Sequence, residues 1–184
     1  MRVDRRFVLV LLAGALIAGV CIYRVQTNRP LDYATQVAAA SLATLAPVFE
    51  GVDERNQMFR LQTYVGRHRI IVVFYDGELG ADQDETLIEL TRRADEVDSK
   101  DIKVVGVSRV IPQINRPALE RLGKLLGPLI SDIDGKIHDR WGRSRPDGGT
   151  LPGLFLIDRK GFVTYADGKP RPVANLDELW EELQ

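Results

Sequence analysis

The sequence predicts an α/β fold, a central mixed β-sheet flanked by helices, and three observations carry that prediction. Ile70–Tyr75 (IIVVFY) and Ile102–Ser108 (IKVVGVS) are apolar runs of strand length, as expected for strands buried on both faces. Each is followed by a helical pattern: Leu87, Leu90, Ala94 and Val97 share one face of Asp82–Val97, and Leu119, Leu122, Leu125 and Leu126 recur within Pro117–Leu126. A β-α-β-α order implies parallel strands. Finally, Leu154–Ile157 and Phe162–Tyr165 flank Asp158-Arg159-Lys160-Gly161, a hairpin signature that adds an antiparallel pair and makes the sheet mixed.

Taken in order, the chain opens with residues 1–6, expected to be a short cytoplasmic N-terminus. Residues 7–23, FVLVLLAGALIAGVCIY, are free of charge and flanked by arginines. As a helix they span about 25 Å, enough for a transmembrane or signal-anchor helix once the arginines snorkel. Arg2, Arg5 and Arg6 precede the run and Arg24 and Arg29 follow it, which leans toward a domain on the extracytoplasmic (periplasmic or lumenal) side. A cleaved signal peptide is the rival reading, although the A-x-A site that follows the apolar run, Ala38–Ala40, lies far past it. Residues 24–45 are expected to be a helical stalk or linker, with helical spacing of Leu31, Ala34, Val37, Ala38, Ser41, Leu42 and Leu45, ended by Pro47. The remainder, residues 46–184, is read as one globular domain, closed by a helix over Leu176–Leu183 with Asn175 as its N-cap.

Charge and cysteine usage narrow the function classes. Residues 1–30 carry five arginines against Asp4, a net +4; with the whole chain at −1, the remainder holds −5. A mildly acidic domain gives no encouragement to nucleic-acid binding. The single cysteine, Cys21, lies inside the apolar run, so the chain has no intramolecular disulfide, no C-x-x-C pair and no multi-cysteine zinc site. No phosphate-binding loop, dinucleotide fingerprint or nucleophile elbow occurs.

Three groups of residues invite a functional reading. The loop after the first long strand carries Asp76, Glu78, Asp82, Asp84 and Glu85, expected to be solvated acids that complement the dipole of the following helix. A calcium loop is disfavoured, since the twelfth position from Asp76 is Leu87 and not glutamate. His68 and His138, the only histidines, have no partner at a recognisable spacing, and His68 is expected to be solvated. In Asp139–Arg145 (DRWGRSR), Trp141 is expected in the core with the arginines solvated, an interface being the alternative.

Several motifs, in order, resemble the redoxin branch of the thioredoxin-like superfamily, the AhpC/TSA peroxiredoxin-like proteins. They are Ala46-Pro47-Val48-Phe49, Leu61–Arg67 (LQTYVGR), the strand VVFYD, the strand VVGVS, Ile130–Gly135 (ISDIDG) and Leu151–Gly161 (LPGLFLIDRKG). The resemblance implies a thioredoxin-like fold over about residues 46–184 and a peroxidase or disulfide-reductase activity that depends on a thiolate. It points to Leu79–Asp82 for a C-x-x-C, to Gln83 for a peroxidatic cysteine and to Pro152 for an arginine; none of these positions holds the family's residue. Pro152 instead resembles the thioredoxin-type proline, for which a cis peptide is expected.

On this reading no catalytic, cofactor-binding or metal-binding residue is assigned, and a copper site lacks its thiols. The expected partners are the membrane, through the N-terminal anchor, and a protein; nucleic acid is excluded and a homodimer stays open. The leading functional expectation is a non-catalytic binding or assembly module. The alternative is a peroxiredoxin-like oxidoreductase that uses a thiol in trans or a non-thiol mechanism.

Overall fold

The structure is a computed structural model, and it describes residues 44–123, 127–167 and 179. The apolar run 7–23, the stalk up to residue 43 and nearly all of the expected C-terminal helix lie outside the described residues. No helix among the described residues is long and apolar enough to cross a membrane.

Seven strands form one mixed sheet among the described residues. They are β1 (Glu50–Val52), β2 (Met58–Arg60), β3 (Arg69–Phe74), β4 (Ile102–Ser108), β5 (Leu129–Ser131), β6 (Gly153–Ile157) and β7 (Val163–Asp167), in the spatial order β2-β1-β5-β4-β3-β6-β7. β3, β4 and β5 run parallel, while β6 is antiparallel to β3 and β7 to β6. The central strand shows why its sequence is apolar without alternation. Ile71 and Val73 point into one hydrophobic cluster, with Val104, Leu129, Leu154 and Leu156, while Ile70, Val72 and Phe74 point into the other, with Val105, Ile130, Phe155 and Trp141. A period-2 strand covered on both faces needs apolar residues at every position. Each fully buried aliphatic side chain contributes about 1.5–3 kcal/mol, an upper estimate because unfolded chains already bury some surface.

The expected helix over Asp82–Val97 is two helices, α1 (Glu85–Arg92) and α2 (Ala94–Ser99), preceded by a 3₁₀ turn over Ala81–Gln83. Its late start has a definite cause: Asp84 stays extended (φ −81°, ψ 116°) and caps α1 from outside. The break falls at Arg93 (φ −93°, ψ 24°), yet Leu87, Leu90 and Val97 are all buried on the same core cluster. The next helix, α3 (Pro112–Leu122), begins five residues before the expected Pro117. Proline is well suited to the first helical position because its missing N–H has no intrahelical partner there. Pro117 sits inside α3 and removes one hydrogen bond from it. A short helix, α4 (Lys136–Arg140), completes the described set.

Two close approaches fix how the strands meet. A Cβ on Gly127 would lie 1.6 Å from the carbonyl oxygen of Val104, so only glycine lets the chain pass β4 before Gly106 N–H donates to Pro128 O at 3.0 Å. At the amino ends of β3 and β4, the first described residues strap across the β6–β7 hairpin. Ala46 N–H donates to Gly161 O (2.8 Å) and Val163 N–H to Thr44 O (2.9 Å), with Leu45 bridging Phe162. The Asp158 carboxylate shapes that hairpin by accepting from the N–H groups of Lys160 (2.9 Å) and Phe162 (2.8 Å).

Candidate functional site

The carboxyl ends of β3, β4 and β5 meet the loop that leads into α1, the usual location of a binding site in an open α/β sheet. Tyr75 follows β3 and is fully buried. Its hydroxyl donates to Asn115 Oδ1 (2.7 Å), which also accepts from Ser108 Oγ (3.3 Å), and Asn115 Nδ2 donates to Ser131 Oγ (3.3 Å). One α3 side chain thereby ties the ends of the three parallel strands. Burial pushes the Tyr75 phenol well above its ordinary range, so it stays neutral and donates.

The loop itself is held by its own acids. Asp76 Oδ1 accepts from Glu78 N–H (3.0 Å), and Gly77 packs against Ser108 and Val110 so closely that a Cβ would meet them at 2.8–2.9 Å. Gly80 takes the left-handed region (φ +97°) and turns the chain into the 3₁₀ turn. There Asp82 receives both Nε (2.6 Å) and Nη2 (3.0 Å) of Arg121 from α3, a bidentate pair that holds the carboxyl below its usual range. The Asp82 side chain is 11% exposed against 60% for Arg121. Gln83 is exposed, and Asp84 Oδ1 accepts from Leu87 N–H at 2.9 Å. Burial raises the Asp84 carboxyl above its ordinary value, and the N–H groups of Leu87 and Thr86 partly oppose that rise.

The expectation of solvated acids is therefore corrected in part. Glu78 and Glu85 are exposed, but Asp82 is ion-paired and Asp84 is a half-buried cap. The N-terminus of α1, where the family's chemistry would stabilise a thiolate, is occupied by the chain's own carboxylate.

Beside the loop, Gly153 pairs with Phe74, which brings Pro152 level with Tyr75. The Leu151–Pro152 peptide is trans, contrary to the cis expectation; there are no cis peptides among the described residues. The arginine missing from position 152 has a spatial neighbour. Arg143 is fully buried, with its guanidinium 5.3 Å from the Phe155 ring centroid and Nη1 donating to Pro152 O at 3.5 Å. Arg143 was expected in solvent, whereas Trp141 is buried against Phe74 and Phe155 as expected. Arg109 pins the following loop by donating to Ser144 Oγ (2.7 Å) and Gly148 O.

His138 corrects a second expectation. It is fully buried, its Nδ1 lies 2.6 Å from Asp132 Oδ2, and its Nε2 lies 3.2 Å from Thr150 Oγ1. Nδ1–H donates to the carboxylate, and Nε2 shares a hydrogen bond with the Thr150 hydroxyl. Asp132 also accepts from the N–H groups of Ile137 (3.1 Å) and His138 (2.8 Å). An aspartate, a left-handed Gly135 (φ +72°) and a helix form a legible cap signal, and the histidine's role follows from that cap. The order acid, imidazole, hydroxyl is that of a nucleophilic triad, but the imidazole has no solvent exposure and no room for a substrate. It is a structural lock between α4 and the segment leading to β6. His68, by contrast, is half-buried and bonds Asp101 Oδ1 at 2.8 Å, where it was expected free in solvent. Among the described residues no cluster of three histidine, cysteine or acidic side chains has the geometry to hold a metal ion.

The fold and this site can be set beside known proteins. The profile of the AhpC/TSA family matches residues 42–166. The chain belongs to the AhpC/TSA family. Its matched segment contains no cysteine, Cys21 lying before it. Among curated relatives it is 32% identical to a peroxiredoxin-class protein of Synechocystis sp. over 62% of this chain and 60% of that one. It is 29% identical to the chloroplastic 2-Cys peroxiredoxin of Hordeum vulgare, over 66% and 62% of the two chains, and 28% identical to human peroxiredoxin-4, over 83% and 60%. The match thus spans about three-fifths of the length of these relatives. Among solved structures, Mycobacterium tuberculosis peroxidoxin BcpB superposes with a TM-score of 0.69 at 18% identity, covering 77% of this chain and 95% of that one. A thiol peroxidase from Chromobacterium violaceum gives 0.63 at 23% identity, covering 78% and 86%. These likenesses establish the thioredoxin-like α/β fold.

Proposed function

We propose that this AhpC/TSA-family domain, tethered to a membrane by residues 7–23 and held on its extracytoplasmic side, works by binding a protein partner and not by thiol catalysis. The carrying observation is the occupancy of the α1 N-terminus: Gln83 stands where the family resemblance puts the peroxidatic cysteine, and Asp84 spends the helix-end N–H group on its own carboxylate. Peroxide reduction needs a thiolate that attacks and a positive field that stabilises it. This loop supplies neither.

Kinship favours a second reading more directly than the first. The curated relatives are named as peroxiredoxins, and an oxidoreductase here would take its thiol from another molecule, with this domain positioning the peroxide or disulfide. Peroxide consumption by the purified full chain separates the two. The chain is assayed alone, with a small-molecule thiol and with a thioredoxin system; rates equal to the protein-free controls are expected. Turnover that scales with chain concentration in either thiol-containing assay refutes the binding reading and establishes the alternative.

A further inference from the structure

The pole opposite the acidic loop carries a cluster of cations that the reading above leaves unused. Three turns converge there. Gly66–Arg69 leads into β3, Lys100–Asp101 leads into β4, and Asp158–Gly161 joins β6 to β7; Ile70 pairs with both Lys103 and Ile157, which puts all three at the amino end of the parallel strands. The turns touch: a Cβ on Gly66 would lie 4.0 Å from Arg159 O, and Asp101 bonds both His68 Nδ1 (2.8 Å) and Arg159 Nη2 (3.2 Å). Arg67 and Lys160 are exposed, Lys100 is half-exposed, and none of the three has a carboxylate partner among the described residues. Arg159 keeps 58% side-chain exposure despite its contact with Asp101. Three acids share this pole: Asp98 is exposed, Asp101 keeps 43% side-chain exposure while it bonds His68 and Arg159, and Asp158 accepts from backbone N–H groups. Arg67, Lys100, Arg159 and Lys160 outnumber these acids by one, so the described part of the pole is weakly positive on a domain of net negative charge.

The same pole is where the chain from the N-terminal segment joins the sheet, through the strap of Thr44 and Ala46 on Gly161 and Val163. Six residues of β3, roughly 20 Å at ~3.3 Å each, separate it from the loop bearing Glu78 and Glu85. We propose that Arg67, Lys100, Arg159 and Lys160 form a docking surface for the anionic phospholipid headgroups of the membrane that holds the chain. This inference rests on the tether reading. An anionic surface attracts this pole and repels the acidic loop, so both charges favour one orientation, with the loop turned to solvent where a partner can reach it. Each cation near an anionic surface shifts the docked-to-free ratio roughly fivefold and each neighbouring carboxylate opposes that shift, a balance that favours docking through the more exposed Arg67 and Lys160 and that added salt screens.

The test uses the full chain with Cys21→Ser, floated on vesicles of phosphatidylcholine with or without phosphatidylglycerol. Ser99→Cys, exposed beside Lys100, reports this pole, and Gln83→Cys reports the opposite one. A water-soluble maleimide is expected to label Ser99→Cys at least tenfold more slowly on the anionic vesicles. High salt and the pair Arg67→Glu/Lys160→Glu are expected to abolish that protection, while Gln83→Cys labels equally on both vesicles. Flotation on both vesicles with equal labelling of Ser99→Cys overturns the docking surface and leaves the tether standing. Flotation on anionic vesicles alone refutes the tether and supports the basic surface; no flotation on either refutes both.

Discussion

Placing a thiol at Gln83 is the sharpest probe of whether this loop can host redox chemistry. Consider Gln83→Cys in a Cys21→Ser background. Gln83 is exposed, so the new side chain meets no packing obstacle. An ordinary cysteine is about 3% thiolate at pH 7, and a helix N-terminus normally raises that fraction. Here Asp84 already accepts from Leu87 N–H, so its carboxylate offsets the helix end. At a separation of roughly 6 Å and an effective dielectric of about 20–40, one unit charge costs the thiolate about 1.4–2.8 kcal/mol, a tenfold to hundredfold loss. Asp82 adds little, because Arg121 neutralises it. The comparison variant is Gln83→Cys/Asp84→Ser, in which the hydroxyl keeps the cap and the charge is gone. Alkylation by iodoacetamide, followed from pH 6 to pH 11, reads the thiolate fraction of each. The double variant is expected to react roughly 10–100 times faster at pH 7 than the single one. Equal rates, or a single variant that reacts faster than free cysteine, would refute the electrostatic reasoning.

Two further outcomes follow from the geometry. Asp132→Ala removes a cap and strands the buried Nδ1–H of His138, so urea unfolding should show a loss of about 2–4 kcal/mol; Asp132→Asn, which keeps one acceptor oxygen, should lose less than half of that. The Asp82–Arg121 pair holds the Asp82 carboxyl below its ordinary value, so its stabilisation is fully present above the ordinary carboxylate range and fades as pH falls through the depressed folded value. Thermal unfolding of Asp82→Asn should accordingly differ from the wild type at pH 6 and converge with it toward pH 2; a constant gap over that range would contradict the pairing.

The sheet was legible because its signals are local. Ile70–Tyr75, Ile102–Ser108 and the Asp158–Gly161 hairpin appear where their periodicity and turn residues put them, within a residue or so. Helix starts were less so, since Asp84 and Pro112 act through backbone conformation at a single residue, and a window of apolar spacing averages over that. The absence of a redox cysteine was plain from the sequence alone. What replaces it was not: Arg121 reaches Asp82 from 39 residues away, and Arg143 lies against Phe155, 12 residues on in β6. Those contacts belong to the fold, and no spacing rule encodes them. The partner of His138 lay six residues upstream, hidden because a left-handed Gly135 folds the chain back between them.

The strap at Thr44 and Ala46 also decides how the domain meets mechanical load. A pull transmitted through the preceding chain reaches the fold at two backbone hydrogen bonds on Gly161 and Val163, at the rim of the sheet. The Tyr75–Asn115 network sits at the far end of the central strands. A force applied at Thr44 therefore loads the rim contacts before the central strands, whose ends are tied together at the far pole.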